Sequence, residues 1–190
     1  MEPAPEKFWH LPNLLTVARI VAVPVVMILL CFKGPVASFL CAMFFMAAGA
    51  TDFFDGFLAR RHMLMSSFGK FMDPLADKLL VSAALIMLIP LGRVPAWMAF
   101  IIIGRELAVT GLRALAAAEG IILAPDRWGK AKTFFQMAAL TALILHYTYH
   151  AVDFQRLGMG LLWLAMVVTI TSGVSYFLTF FRQYPESQQS

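Results

Sequence analysis

A chain of 190 residues that is 61% hydrophobic and 14% charged, with a mean hydropathy of +0.77, falls outside the range of ordinary water-soluble domains. Its net charge of +4 sits at the ends of apolar runs and forms no separate basic stripe, which argues against nucleic acid as a partner. There is no internal repeat, no low-complexity tract beyond the closing YPESQQS and no compositional shift, so residues 1–190 read as one domain.

The opening MEPAPEKFWHLPN has neither a basic n-region nor a small-residue cleavage site, so no removed signal peptide is expected there, and Trp9 with its neighbours suits a short interfacial segment. Apolar runs long enough to cross a bilayer follow near residues 13–32, 36–60, 70–91, 95–118, 130–150 and 158–181. The expected fold is therefore all-α, an integral membrane bundle of six transmembrane helices. Cys31 and Cys41 fall inside spans without metal or redox spacing and read as small packing residues.

Six spans put both termini on one side, together with the connections near 61–69 and 119–129. That side carries Lys7, Arg60, Arg61, Lys70, Arg127, Lys130, Lys132 and Arg182, against Lys33, Arg93 and Arg156 opposite. An excess of Lys and Arg marks the cytoplasmic face.

The second span closes on ATDFFDGFLARR, in which Asp52, Asp55, Gly56 and Ala59 fall at i, i+3, i+4 and i+7, one stripe of a helix. The third opens on FGKFMDPLADK, with Gly69, Asp73 and Asp77 at i, i+4 and i+8. A short connection makes these spans antiparallel neighbours, so all four carboxylates can converge. Acids are costly in a membrane and repel one another. Oxygen-only ligands favour a hard divalent cation, Mg²⁺ or Mn²⁺, and a bridging carboxylate allows two ions. Gly56 and Gly69 let backbone approach a phosphorylated ligand, Arg60 at the helix end can fork onto a diphosphate, and Pro74 can bend the helix that aims Asp73. For Arg60, Arg61 and Lys70, positive-inside anchoring is an equally good reading.

Asp52-x-x-Asp55-Gly56-x-x-Ala59-Arg60, eight residues, then Gly69-x-x-x-Asp73-x-x-x-Asp77 resembles the signature of the CDP-alcohol phosphotransferase family at every defining position. The resemblance implies a six-helix, homodimeric membrane enzyme with two metal ions. Such an enzyme moves a substituted phosphoryl group from a CDP-linked donor to an alcohol and releases CMP. It further implies that Asp52, Asp55, Asp73 and Asp77 ligate metal and that Asp77 also takes the proton of the acceptor hydroxyl. Gly56, Arg60 and Ser66 would contact the donor, with Ala59 and Gly69 lining the same site.

The acceptor must be read elsewhere. Asn13, Thr16 and Arg19 share a face at the start of the first span. In the fourth span, Glu106, Thr110 and Arg113 fall at i, i+4 and i+7, with Arg105 adjoining. Lys130 and Thr133, then Lys132 and Gln136, open the fifth. Cations within spans suit an acceptor that is itself a phosphate dianion. Glu106 paired to an arginine and the lysines as membrane anchors are the competing structural readings. NLLTVAR, GRELAVTGLRALAAAEG and GKAKTFFQ resemble the branch of the family that uses phosphorylated glycerol. That implies CDP-diacylglycerol as donor and sn-glycerol 3-phosphate as acceptor, with Thr16, Arg105, Arg113, Lys130 and Lys132 in the acceptor pocket. An inositol phosphate acceptor would also need a basic pocket. A divalent-cation transporter would likewise carry intramembrane acids, although these lie toward one face and no inverted repeat accompanies them. A structural subunit with a dead site is disfavoured, because every acidic position of the motif is filled. His146 and His150, at i, i+4, read as satisfied or interfacial and not as a metal site.

Overall fold

The computed structural model describes residues 11–62, 67–119, 128–149 and 151–187. Within these, side chains are described for 17–50, 75–76, 78–119, 131–149 and 151–183. Six helices follow in chain order: α1 (Leu11–Cys31), α2 (Pro35–His62), α3 (Ser67–Leu88), α4 (Ala96–Ala118), α5 (Trp128–Leu145) and α6 (Phe154–Ser187). Between α5 and α6 lies a minimal antiparallel ladder, β1 (Thr148–Tyr149) with β2 (Val152–Asp153).

The breaks between helices have local causes. Gly34, at φ 125°, turns the chain out of α1 before Pro35 opens α2 with a fixed φ and no amide to satisfy. After α3, Gly92 sits at φ 70°; its N–H bonds to the carbonyl of Ile89 (2.9 Å) and that of Arg93 to Leu88 (3.1 Å). This Schellman-type closure satisfies the last carbonyls of the helix. Pro95, in an extended conformation, then starts α4.

The fifth helix stops at Leu145, short of the expected 150, because His146 (φ 41°) and Ala151 (φ 66°) enter left-handed backbone and fold the chain into the two-stranded turn. The third runs 67–88 against the expected 70–91, and α6 continues to Ser187, well past the expected end at 181.

α1 packs against both α2 and α3, α5 lies along α6 and also meets α2, and α4 rests on α6. The larger core cluster joins Val26 and Leu30 from α1, Cys41 and Phe45 from α2, Leu80, Leu85 and Leu88 from α3, Met98 and Ile102 from α4, Leu140 and Leu143 from α5, and Leu162 and Met166 from α6, and a smaller one joins Leu112 and Ala116 of α4 to Phe180 of α6. At the α5–α6 crossing, a Cβ on Gly158 would stand 2.9 Å from the backbone nitrogen of Leu143, so only glycine admits this approach.

Outward faces are as apolar as the core: Phe32, Val36, Phe39, Phe100, Leu107, Phe134, Trp163 and Phe181 are all exposed. Among the described residues one helix, Phe154–Gln183, is long and apolar enough to cross a membrane. Its 30 residues reach about 45 Å at the α-helical rise, against about 30 Å of bilayer hydrocarbon. The apolar stretches Val17–Cys31, Pro35–Ala50, Lys78–Leu88 and Ala131–Leu145 are shorter. Both thiols are free, Cys41 buried and Cys31 exposed.

Candidate functional site

Asp52, Asp55, Gly56, Ala59 and Arg60 occupy the last three turns of α2, while Gly69, Asp73 and Asp77 occupy the first three of α3. Four residues, 63–66, join the two helices, so the acid-bearing ends lie at the same end of the bundle. The chain returns there with the end of α4 and the start of α5. The side chains of all eight motif residues, and those of Thr16 and Lys130, lie outside the described ones, and Ser66 lies outside the described residues altogether.

One step inward from the acids, the described side chains form a polar layer. Arg19 of α1 is buried, 1% exposed, and its Nε donates to the carbonyl of Ala48, one helical turn before Asp52. Lys78, adjoining Asp77, donates from Nζ to Thr110 Oγ1 of α4 (2.5 Å), and that hydroxyl donates in turn to the carbonyl of Glu106 (2.6 Å).

Glu106 is the hub. Its Oε1 accepts from Lys132 Nζ on α5 and from Arg105 Nη1 at 3.4 Å, and all three side chains are at least 86% buried. Arg105 spends its other nitrogens on α6: Nε donates to the Thr169 carbonyl (3.0 Å) and Nη2 to Ser172 Oγ (2.7 Å), with Gly173 leaving room for its aliphatic stem. An ion triad this far from water is helped by the two α6 oxygens that Arg105 bonds besides the carboxylate.

Between α3, α4 and α5 the layer encloses a cavity of about 20 Å³, bordered by Lys78, Ser82, Glu106, Lys132, Thr133 and Gln136. Gln136 is buried, and its Nε2 has no hydrogen-bond partner among the described residues. The cavity has room for one water, which would accept from that amide.

Of the residues expected to hold a phosphorylated acceptor, Arg105 and Lys132 meet at Glu106. Arg113 lies on an exposed part of α4, two turns beyond. The pairing of Glu106 with an arginine, raised as a structural reading, is present, with Lys132 as a further partner. Sequence reasoning did not assign Lys78, Thr169 or Ser172. A lysine next to an acidic stripe was a signal for the first. For the other two the i, i+3 spacing was visible, but it reads as ordinary small-residue packing until Arg105, more than sixty positions away, is brought against it.

These features, carboxylate stripes on abutting helix ends backed by a buried cationic layer, agree with a comparison of the sequence with known families. Residues 9–171 match the family model described as CDP-alcohol phosphatidyltransferase, and the chain belongs to that family. Among characterised proteins it is 43% identical over 182 residues to the CDP-diacylglycerol–glycerol-3-phosphate 3-phosphatidyltransferase of Bacillus subtilis, spanning 89% of this chain and 94% of that protein. It is 42% identical over 169 residues to the protein of the same name from Rickettsia bellii (88% and 93%). It is also 38% identical over 171 residues to a probable phosphatidylglycerophosphate synthase of Mycobacterium tuberculosis (88% and 79%).

Proposed function

We propose that this chain transfers a phosphatidyl group from CDP-diacylglycerol to sn-glycerol 3-phosphate, giving phosphatidylglycerophosphate and CMP. The single observation that carries this reading is the complete acidic signature on the abutting ends of α2 and α3, in a chain so similar over most of its length to enzymes named for that reaction.

The donor set is oxygen only, which fits a hard divalent ion. Asp52, Asp55, Asp73 and Asp77 would hold two such ions, Mg²⁺ or Mn²⁺. Bound there, the ions would neutralise the donor diphosphate and the departing CMP oxygen. Asp77 takes the proton of the acceptor hydroxyl as its oxygen attacks the phosphorus that carries diacylglycerol, and the bond from that phosphorus to the CMP oxygen breaks. Gly56, Ala59 and Gly69 leave space for the nucleotide, while Arg60 and Ser66 bind its diphosphate.

The polar layer supplies the acceptor field. Lys78, Arg105 and Lys132 against Glu106 give three positive charges and one negative, a net of +2 that matches a phosphate monoester dianion. Thr16, Arg113 and Lys130 complete the set of residues assigned to the acceptor, Arg113 from two turns further along α4. An uncharged alcohol has no use for this field.

The reaction needs a lipid setting. Exposed apolar residues around the helices and a membrane-length α6 support a six-span bundle in the cell membrane. The bias of Lys and Arg puts the acids and both termini on the cytoplasmic side, and the family resemblance supports a homodimer.

The test is CMP release by the purified chain from CDP-diacylglycerol, offered a panel of alcohols with and without a chelator. Turnover with glycerol 3-phosphate that stops on chelation is expected. Consumption of inositol phosphate with glycerol 3-phosphate ignored would refute the acceptor assignment. Mg²⁺ or Mn²⁺ flux into proteoliposomes without any CMP release would refute the enzyme reading.

A further inference from the structure

At the opposite end of the bundle from the aspartates, three connections gather around a cavity of about 420 Å³ bordered by Lys33, Leu91, Arg93, His146, Tyr147 and Gln155. Several bonds fix its walls. Arg93 Nη1 donates to the carbonyls of Leu143 (3.3 Å) and Ile144 (3.1 Å) at the end of α5, and Nη2 lies 3.3 Å from His146 Nε2. Gln155 Nε2 donates to the Arg93 carbonyl (3.1 Å), and Tyr149 Oη to that of Pro35 (3.1 Å). The connections before α2, before α4 and before α6 are thereby tied together.

Among the described residues no carboxylate borders this cavity, whereas the basic side chains of Lys33 and Arg93 do. Part of Arg93 is committed to backbone carbonyls, but no acid among the described residues pairs with it. Lys33 Nζ and the Tyr147 hydroxyl have no hydrogen-bond partner among the described residues, and Lys33 is exposed. A rigid cleft with unspent donors and net positive charge is built for an oxyanion. Its size is that of a small-ligand site. Leu91 lines the cavity and is exposed, and Phe32 and Val36, flanking Lys33 in the chain, present further exposed apolar surface, so a ligand seated by its anionic group would have hydrocarbon beside it at the junction of α1 and α2.

We propose that this cavity binds the phosphodiester of an anionic glycerophospholipid headgroup, with Lys33 and Tyr147 as donors, Arg93 as the fixed charge, and the acyl chains lying over Phe32, Val36 and Leu91. The assignment of the lipid to the leaflet opposite the aspartates rests on the multi-pass reading above. Phosphate recognition at this place does not.

Native mass spectrometry of the full-length chain in detergent, titrated with phosphatidylglycerol in the presence of excess CMP, reads the site directly. Wild type should retain one lipid. Lys33→Glu should weaken it about tenfold or more, as expected for one charge-assisted bond replaced by repulsion, and Tyr147→Phe should weaken it several-fold. Lys33 is exposed and Tyr147→Phe removes one oxygen, so both variants should fold. Retention by Lys33→Glu equal to wild type overturns the proposal. Displacement by inorganic phosphate or by acyl-free glycerophosphoglycerol at concentrations near that of the lipid assigns the cleft to a soluble phosphate and overturns the lipid occupant. CMP release is measured on the same samples. A chain that turns over but holds no such lipid overturns this inference alone, and one that holds it without any turnover overturns the proposed reaction alone.

Discussion

Glu106→Gln isolates the charge at the hub of the polar layer while keeping its shape. In the wild type one carboxylate oxygen serves Lys132 and Arg105, and the three side chains are only 10–14% exposed. Replacing it by an amide leaves two cations facing each other with no counter-charge, and breaking a buried pair in this way costs about 3–5 kcal/mol. For a chain of this size that corresponds to a drop of about 6–20 °C in melting temperature. Catalysis should change in a particular direction. With the layer more positive but its lysine no longer held, KM for glycerol 3-phosphate should rise, while KM for CDP-diacylglycerol, bound at the other helix pair, should stay within about twofold. Thermal unfolding in detergent and steady-state CMP release with each substrate varied are the assays. The double variant Glu106→Gln/Lys132→Met should lose less stability than the two single losses added together, because the second change removes one stranded charge. A single variant that melts within a degree or two of wild type, or a double variant that is fully additive, would refute the assignment of Glu106 as the centre of the layer.

Four other perturbations have definite outcomes. Asp77→Asn should abolish CMP release while Mn²⁺ binding, followed by electron paramagnetic resonance, persists in part; equal turnover would remove Asp77 from the role of base. Arg113→Ala, at an exposed position of α4, should leave the melting temperature unchanged and raise KM for the acceptor, so an unchanged KM removes it from the acceptor site. Gly158→Ala puts a methyl group 2.9 Å from the Leu143 backbone nitrogen, and the shift of α5 from α6 should cost about 1–3 kcal/mol in thermal unfolding; a neutral substitution would show that the crossing is looser than described. Burial and the neighbouring Arg93 hold the His146 imidazole below its usual pKa. The unfolded chain therefore takes up this proton first, and the stability from the neutral ring is present above about pH 6.5 and lost as pH falls below it. The Tyr147 ring lies tilted against the imidazole, with ring centroids 3.9 Å apart, and Lys33 borders the same cleft. A melting temperature in His146→Gln that falls on acidification as steeply as in wild type would show that another group is responsible.

Helix number and most helix limits were legible because apolar run length is a strong signal and the breaks at Gly34, Gly92 and Pro95 announce themselves. The end of α5 was not. HYTYHAV continues the apolar, aromatic run without a glycine, and nothing local reveals that His146 and Ala151 adopt left-handed backbone. The stripes of Asp52, Asp55, Asp73 and Asp77 are local in sequence and visible as spacing. The polar layer is not local: Glu106 was recognisable as an acid needing a partner, but its choice of Lys132 and the docking of Arg105 on Thr169 and Ser172 depend on which helices lie side by side. Arg93 read only as one charge on the sparsely charged side, because its bonds to Leu143 and Ile144 span about fifty residues.

That arginine also bears on how the molecule can move. By binding the end of α5 while its own carbonyl is gripped from the first turn of α6, it closes one extremity of the bundle like the spring of a clothes-peg. Any separation of the helices is then expected at the far extremity, where the acidic helix ends sit.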